Sequence, residues 1–152
     1  MKIKRAYKTQ ASLAKEFDTL MKRLPSYNGV LYSGMENVPE GVWKTMTIEG
    51  KEFTLSVPFS ASTRKGIAER YLGGWGKPGG ESKLSLLVKT HAKNAVDLSW
   101  YSSKRMGSQF QDLSELLLRT NSRYIVESVG PIEHLFPADP DWLVCEIVIR
   151  EI

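Results

Sequence analysis

The sequence predicts an α+β domain with mainly antiparallel strands. Helical periodicity lies mostly in the first half of the chain and strand-like alternation mostly in the second. Successive strand candidates also follow one another without the crossover helices that a doubly wound parallel sheet requires. The 152 residues contain no linker-like stretch, internal repeat or low-complexity tract, so one domain spanning 1–152 is expected.

The elements can be justified in order. Gln10 to Leu24 reads as a helix, because Leu13, Phe17, Leu20, Met21 and Leu24 recur at steps of three or four. Ser12 suits its N-cap and Pro25 its stop. Val30, Leu31 and Tyr32 form a short strand candidate between Gly29 and Gly34. A helical turn and a strand over Phe53 to Val57 follow. Arg64 to Leu72 reads as a helix with Ile67, Ala68, Tyr71 and Leu72 on one face and Gly73 as its stop. "GGWGKPGGESK" is a loop, since five of its eleven residues are glycine and one is proline.

"KLSLLVKT" places Leu84, Leu86 and Val88 on one face of a strand. "AVDLSWY", "SELLL", "RYIVESV" and "WLVCEIVIREI" are further strands. In the last, Leu143, Cys145, Ile147 and Ile149 alternate with Val144, Glu146, Val148 and Arg150. Gly130-Pro131 and the stretch Pro137 to Pro140 punctuate a longer connection.

Composition narrows the function. Hydrophobic residues make up 41% and charged residues 25%, as in soluble globular proteins. No apolar run approaches the roughly 20 residues that span a bilayer, and the basic start lacks the apolar core of a secretory signal. No membrane partner and a cytoplasmic location are therefore expected. A net charge of +4, with lysines and arginines scattered, makes no nucleic-acid footprint. "GGWGKPGG" fails the phosphate-loop pattern because Pro78 follows Gly76-Lys77. His91, His134 and Cys145 are too few and too scattered for a zinc site, so no metal is expected. Cys145 falls on an apolar strand face and reads as a buried structural thiol.

Three stretches, in order, resemble the mono-ADP-ribosyltransferases of the arginine–serine–glutamate type, known among toxins and phage enzymes. In "LPSYNGVLYSGM", Tyr32 and Gly34 match a strand that ends Tyr-Arg-Gly in the family. In "PFSASTRKGIAERYLGG", Phe59, Ser60-Ala61-Ser62, Ala68 and Tyr71 match the family's aromatic residue, serine motif and following helix. In "SELLLRTNSRYIVESV", Glu115, Leu116 to Leu118, Tyr124 and Val126 match a glutamate, a short aliphatic strand, a turn and a second strand.

The resemblance implies two small, mainly antiparallel sheets at right angles, flanked by helices, with NAD bent in the cleft between them. It also implies site residues. Glu115 would hydrogen-bond a ribose hydroxyl and stabilise the positive charge that develops on the sugar as the nicotinamide bond breaks. Ser60 would brace that glutamate. Tyr32, Ser33, Gly34, Ser62, Arg64 and Tyr71 would contact NAD. Gln111, Asp112 and Leu113 would recognise the acceptor. From the residues alone, Glu115 also reads as a solvated strand-edge carboxylate, and Ser62 as a helix cap.

The sequence departs from the family pattern at two positions. Ser33 stands where the family has arginine, which grips the phosphates of NAD by charged hydrogen bonds. Arg64, Lys65 and Arg70 are candidates to compensate. Leu113 stands two residues before Glu115, where the family commonly has Glu or Gln. Trp100, Tyr101 and Phe110 flank the same loop.

The expected activity is transfer of ADP-ribose from NAD to a macromolecule, a protein rather than a nucleic acid, by a phage or bacterial effector. The departures keep two alternatives open. One is a catalytically silent member of the fold that binds a protein or nucleic acid. The other is an NAD glycohydrolase.

Overall fold

The computed structural model describes residues 19–36, 38–55, 59–72, 84–98, 115–136 and 139–152. In chain order the elements are β1 (Ser26–Met35), α1 (Glu40–Met46), β2 (Glu52–Thr54), β3 (Phe59–Ser62), α2 (Lys65–Glu69), β4 (Leu84–Asp97), β5 (Glu115–Leu118), β6 (Arg123–Phe136) and β7 (Asp139–Glu151). Ser12, Leu13, Phe17, Pro58, the glycine-rich loop, Trp100, Tyr101, Phe110 and residues 111–113 lie outside the described residues.

Where two separate sheets are expected, seven strands are joined in one hydrogen-bonded network, in the order β1-β3-β5-β4-β7-β6-β2. The long strand β4 does the joining. It pairs with β1 along most of its length, with β7 over Leu84 to His91, and with β5 at Val96 and Asp97. Because β1 also pairs with β3, and β3 with β5, these four strands close on themselves. The strands β7, β6 and β2 extend from β4 as an open arm. All pairings are antiparallel except β4 with β7, which are parallel.

Several sequence expectations are corrected here. "KLSLLVKT" and "AVDLSWY" contribute to one strand, and Leu84 to Val88 are all buried rather than alternately so. β4 is paired with β1 along one edge and β7 along the other, and both of its faces are buried over this stretch. Gly130-Pro131 do not mark a connection. They sit inside β6, where the register shifts between Val129 and Ile132. A bulge there leaves a residue out of the ladder, which suits a proline that has no N–H to give. Phe136, the last residue of β6, is paired to Asp139, the first of β7. The strand over Phe53 to Val57 is the shorter β2, and α1 takes the place of the helical turn.

Of the first predicted helix, residues 19–21 are helical in the described part. Met21 is buried against Val96 and Leu117 as its stripe implies, while Leu20 is exposed. Pro25 closes the segment, and its carbonyl accepts the Asp97 N–H at 2.9 Å. Gly50 adopts a φ of +81° in the turn before β2, a conformation that favours glycine. Its N–H reaches the Val126 carbonyl at 2.8 Å and so starts the β2–β6 pairing.

The main core takes Leu31 from β1, Leu86 and Val88 from β4, Leu118 from β5, Tyr124 and Val126 from β6, and Cys145, Ile147 and Ile149 from β7. The β7 alternation is as the sequence predicts. Phe53 stacks on Tyr124 with ring centroids 5.7 Å apart, which fastens the edge strand β2 to the core. Cys145 is fully buried and its thiol donates to the Gly130 carbonyl at 3.3 Å. Burial pushes the thiol above its ordinary range, so it stays protonated near neutral pH.

Candidate active site

The site is built where β1, β3 and β5 lie side by side. Tyr32 is the cross-strand partner of Ser62, and Ser62 is the partner of Glu115. Three residues far apart in sequence thus stand in one row across three strands. Glu115 is the first residue of β5 and half-buried, whereas Leu116 to Leu118 behind it are buried. The aliphatic run anchors the strand in the core and leaves the carboxylate at its mouth.

In front of this row is an open cavity of about 480 Å³. That is within the usual range of small-molecule sites, about 300–1,000 Å³. Glu115, Ser60, Ser62, Tyr32, Ser33, Gly34 and Tyr71 all line it, so the structure brings most of the expected site residues together. Arg64 lies outside this lining. Phe59, Ala61, Ile67 and Ala68 complete the wall. Ile67 was legible only as part of a helix face, because periodicity does not say whether that face meets core or ligand.

Ser33 is 2% exposed, and its hydroxyl donates to the Ser60 carbonyl at 2.8 Å. Its proton ties β1 to β3 instead of pointing outward. Ser62 is also buried, and its oxygen accepts the Arg64 N–H at 3.1 Å. This bond turns the chain from β3 into α2 in the manner of a serine turn. The cap residue of α2 is Arg64, which has extended φ and ψ of −106° and 117° and makes no side-chain cap bond. The capping reading of Ser62 is corrected accordingly: it shapes the entry to the helix one step earlier. Ser60 is exposed and lies opposite Leu117, so the direct neighbour of Glu115 is Ser62. Both serines share one face of β3, as residues two apart must.

Gly34 is needed for space. A Cβ there would lie 2.2 Å from the Ala68 carbonyl oxygen, a backbone atom that cannot swing away. The glycine therefore lets the end of α2 rest directly on β1. Ala68 is 2% exposed, and a small residue suits that contact. The Gly34 and Ala68 positions of the motifs are two halves of one packing contact. That contact sets Tyr71, just beyond α2, at the cavity edge, where it remains 56% exposed.

Among the described lining residues, Glu115 alone carries a formal charge at neutral pH. Lys65 is engaged elsewhere, with its ammonium 3.2 Å from a Glu146 oxygen on β7. The hydrogen bond and the charge of Glu146 hold that ammonium above its ordinary range. Arg70 is exposed and outside the lining. Among the described residues no cluster of His, Cys, Asp and Glu is arranged to hold a metal, and no helix is long and apolar enough to cross a membrane.

No family model and no curated protein matches the chain. Solved structures do. The ADP-ribosyltransferase Vis, a Vibrio splendidus toxin whose structure holds agmatine, superposes with a TM-score of 0.61 at 14% identity, covering 94% of this chain and 60% of that one. The type III effector XopAI of Xanthomonas axonopodis gives 0.57 at 18% identity, covering 93% and 52%. Exoenzyme S of Pseudomonas aeruginosa, in complex with human 14-3-3 protein beta and bound to carba-NAD, gives 0.54 at 14% identity, covering 95% and 60%. The chain spans between about half and three fifths of the length of these proteins. At such identities the likeness is one of fold. With its mostly antiparallel sheet and the motif residues gathered at one cavity, the chain has the fold of the mono-ADP-ribosyltransferases.

Proposed function

We propose that the chain is a mono-ADP-ribosyltransferase that transfers ADP-ribose from NAD to a macromolecular acceptor, with the NAD cleft at the cavity beside Glu115. The carrying observation is the cross-strand row of Tyr32, Ser62 and Glu115 along that cavity. Glu115 is the catalytic carboxylate. It accepts a hydrogen bond from a ribose hydroxyl and stabilises the cationic sugar more in the transition state than in the ground state. Ser62, its cross-strand neighbour, holds the strand that presents it, and Ser60 extends the same polar wall. Tyr32, Phe59 and Tyr71 offer aromatic surface to the nicotinamide. Protein is the proposed acceptor, recognised through Gln111, Asp112 and Leu113, and the cytoplasm is the proposed setting.

The test is incubation of the purified protein with NAD labelled in its ADP-ribose half, together with a cell lysate. Labelled macromolecule is the expected result. Release of free ADP-ribose alone replaces transfer with hydrolysis. No turnover and no NAD binding overturns the enzyme reading in favour of a silent binding protein.

A further inference from the structure

We infer that Lys65 and Glu146 are positioning residues for the cleft: their ion pair holds α2 in place from outside the cavity, and with it the wall that α2 supplies. This rests on the proposed reading of the cleft and adds to it two residues that do not line it. Together, α2 and the turn after it separate two hollows. Ile67, Ala68 and Tyr71 face the cavity beside Glu115. Lys65, Glu69 and Leu72 line a second cavity of about 210 Å³, whose other walls come from β4, β6 and β7. On the site side, α2 rests on β1 through the close approach of Ala68 to Gly34. On the far side is the second hollow, and across it the Lys65 ammonium lies 3.2 Å from a Glu146 oxygen.

The two ends of this tie differ in firmness. Glu146 stands in the β4–β7 ladder opposite Leu87, between the buried residues Cys145 and Ile147. By contrast, α2 has five residues, too few to be stable as an isolated helix, so its place depends on what fastens it. The Glu146 hydrogen bond and charge hold the Lys65 ammonium above its ordinary range, and Glu69 and Tyr32 act more weakly in the same direction. Both side chains of the pair are at least half exposed, so its effect is small in global stability and is read instead in the position of α2.

The experiment measures NAD turnover by the full chain and by Lys65→Met, Glu146→Gln and the double variant. Each single variant is expected to raise KM for NAD about twofold to fivefold while kcat stays close to that of the parent. The double variant is expected to be no worse than either single one, because the two residues act as a unit. A Lys65 that instead reached NAD directly would give another pattern. Lys65→Met would weaken binding, whereas Glu146→Gln, by freeing the ammonium, would leave binding unchanged or tighten it. That pattern, additive losses in the double variant, a loss confined to kcat, or unchanged KM in both single variants would each overturn the proposal and leave the transferase reading standing. A parent chain that neither binds NAD nor turns it over overturns both.

Discussion

The closed ring of β1, β3, β5 and β4 and the open arm of β7, β6 and β2 solve different problems with the same kind of sheet. In the arm, β6 and β7 pair almost end to end, and alternate β7 residues fill the core. Arg150 and Glu127 meet at 2.6 Å on the surface, whereas Glu151 is buried at the end of β7. In the ring, β1 meets β3 at a single paired position, reinforced by the Ser33–Ser60 bond. Ser33, Ser62 and Ser85 are buried in the ring, and a glycine admits a helix against β1. A cavity opens in front of these strands. Both regions feed one core, and the ring carries a polar, open site as well.

Glu115→Gln breaks the comparison from the ring side. It is expected to lower NAD turnover by about a hundredfold to a thousandfold, the usual loss for one electrostatic stabiliser. Thermal unfolding followed by circular dichroism is expected to stay near that of the parent. Unchanged turnover would place the catalytic carboxylate elsewhere.

Ile147→Ala is the mirror image in the arm. Ile147 is 1% exposed in the main core, and truncating such a residue costs roughly 2–5 kcal/mol. Urea unfolding measures the loss, while turnover in the cold is expected to persist. A variant that loses activity while fully folded would show the two regions to be coupled.

Gly34→Ala sharpens the boundary between the regions. The added methyl meets the Ala68 carbonyl, so α2 must shift, at a cost of about 1–3 kcal/mol typical of overpacking. Because α2 leads into Tyr71, NAD binding is expected to weaken along with stability. Calorimetric titration of the folded variant with NAD checks this, and unaltered affinity would remove Tyr71 from the site.

The smallest effect is a pH dependence in the arm. Burial pushes the Tyr124 phenol well above its ordinary value, and the charge of Glu151 adds to the shift. The unfolded chain therefore ionises first, and the stability from neutral Tyr124 is present below a pH of about 10 and lost above it. Unfolding midpoints measured at rising pH should fall in that range, and less steeply in Tyr124→Phe. Equal slopes would assign the fall to other groups.

Much of the arm was legible in sequence, because β7 is half-covered and its alternation records which face is buried. β4 was harder. A strand buried on both faces loses its alternation, so its length and central place were hidden. Gly130-Pro131 mimicked a turn because a β-bulge and a turn use the same residues. The site residues that the resemblance implies were legible as a set, and all but Arg64 of those described line the cavity. Their roles were less so. Ser62 rather than Ser60 neighbours Glu115, because register between distant strands leaves no local trace. Ser33 stood out as a departure, yet only its hydrogen bond shows where its proton goes.

The chain's own chemistry determined the α+β class, the buried face of β7 and the inert burial of Cys145. All of these follow from side-chain type and short-range spacing. Tertiary structure alone decided that β4 would unite every strand but β2, β3 and β6 by direct pairing, that Gly34 would serve as a seat for α2, and that one carboxylate would face the cavity with no described cation in its lining. Those outcomes depend on hydrogen bonds and contacts between segments dozens of residues apart, whose geometry is set only when the strands close on one another.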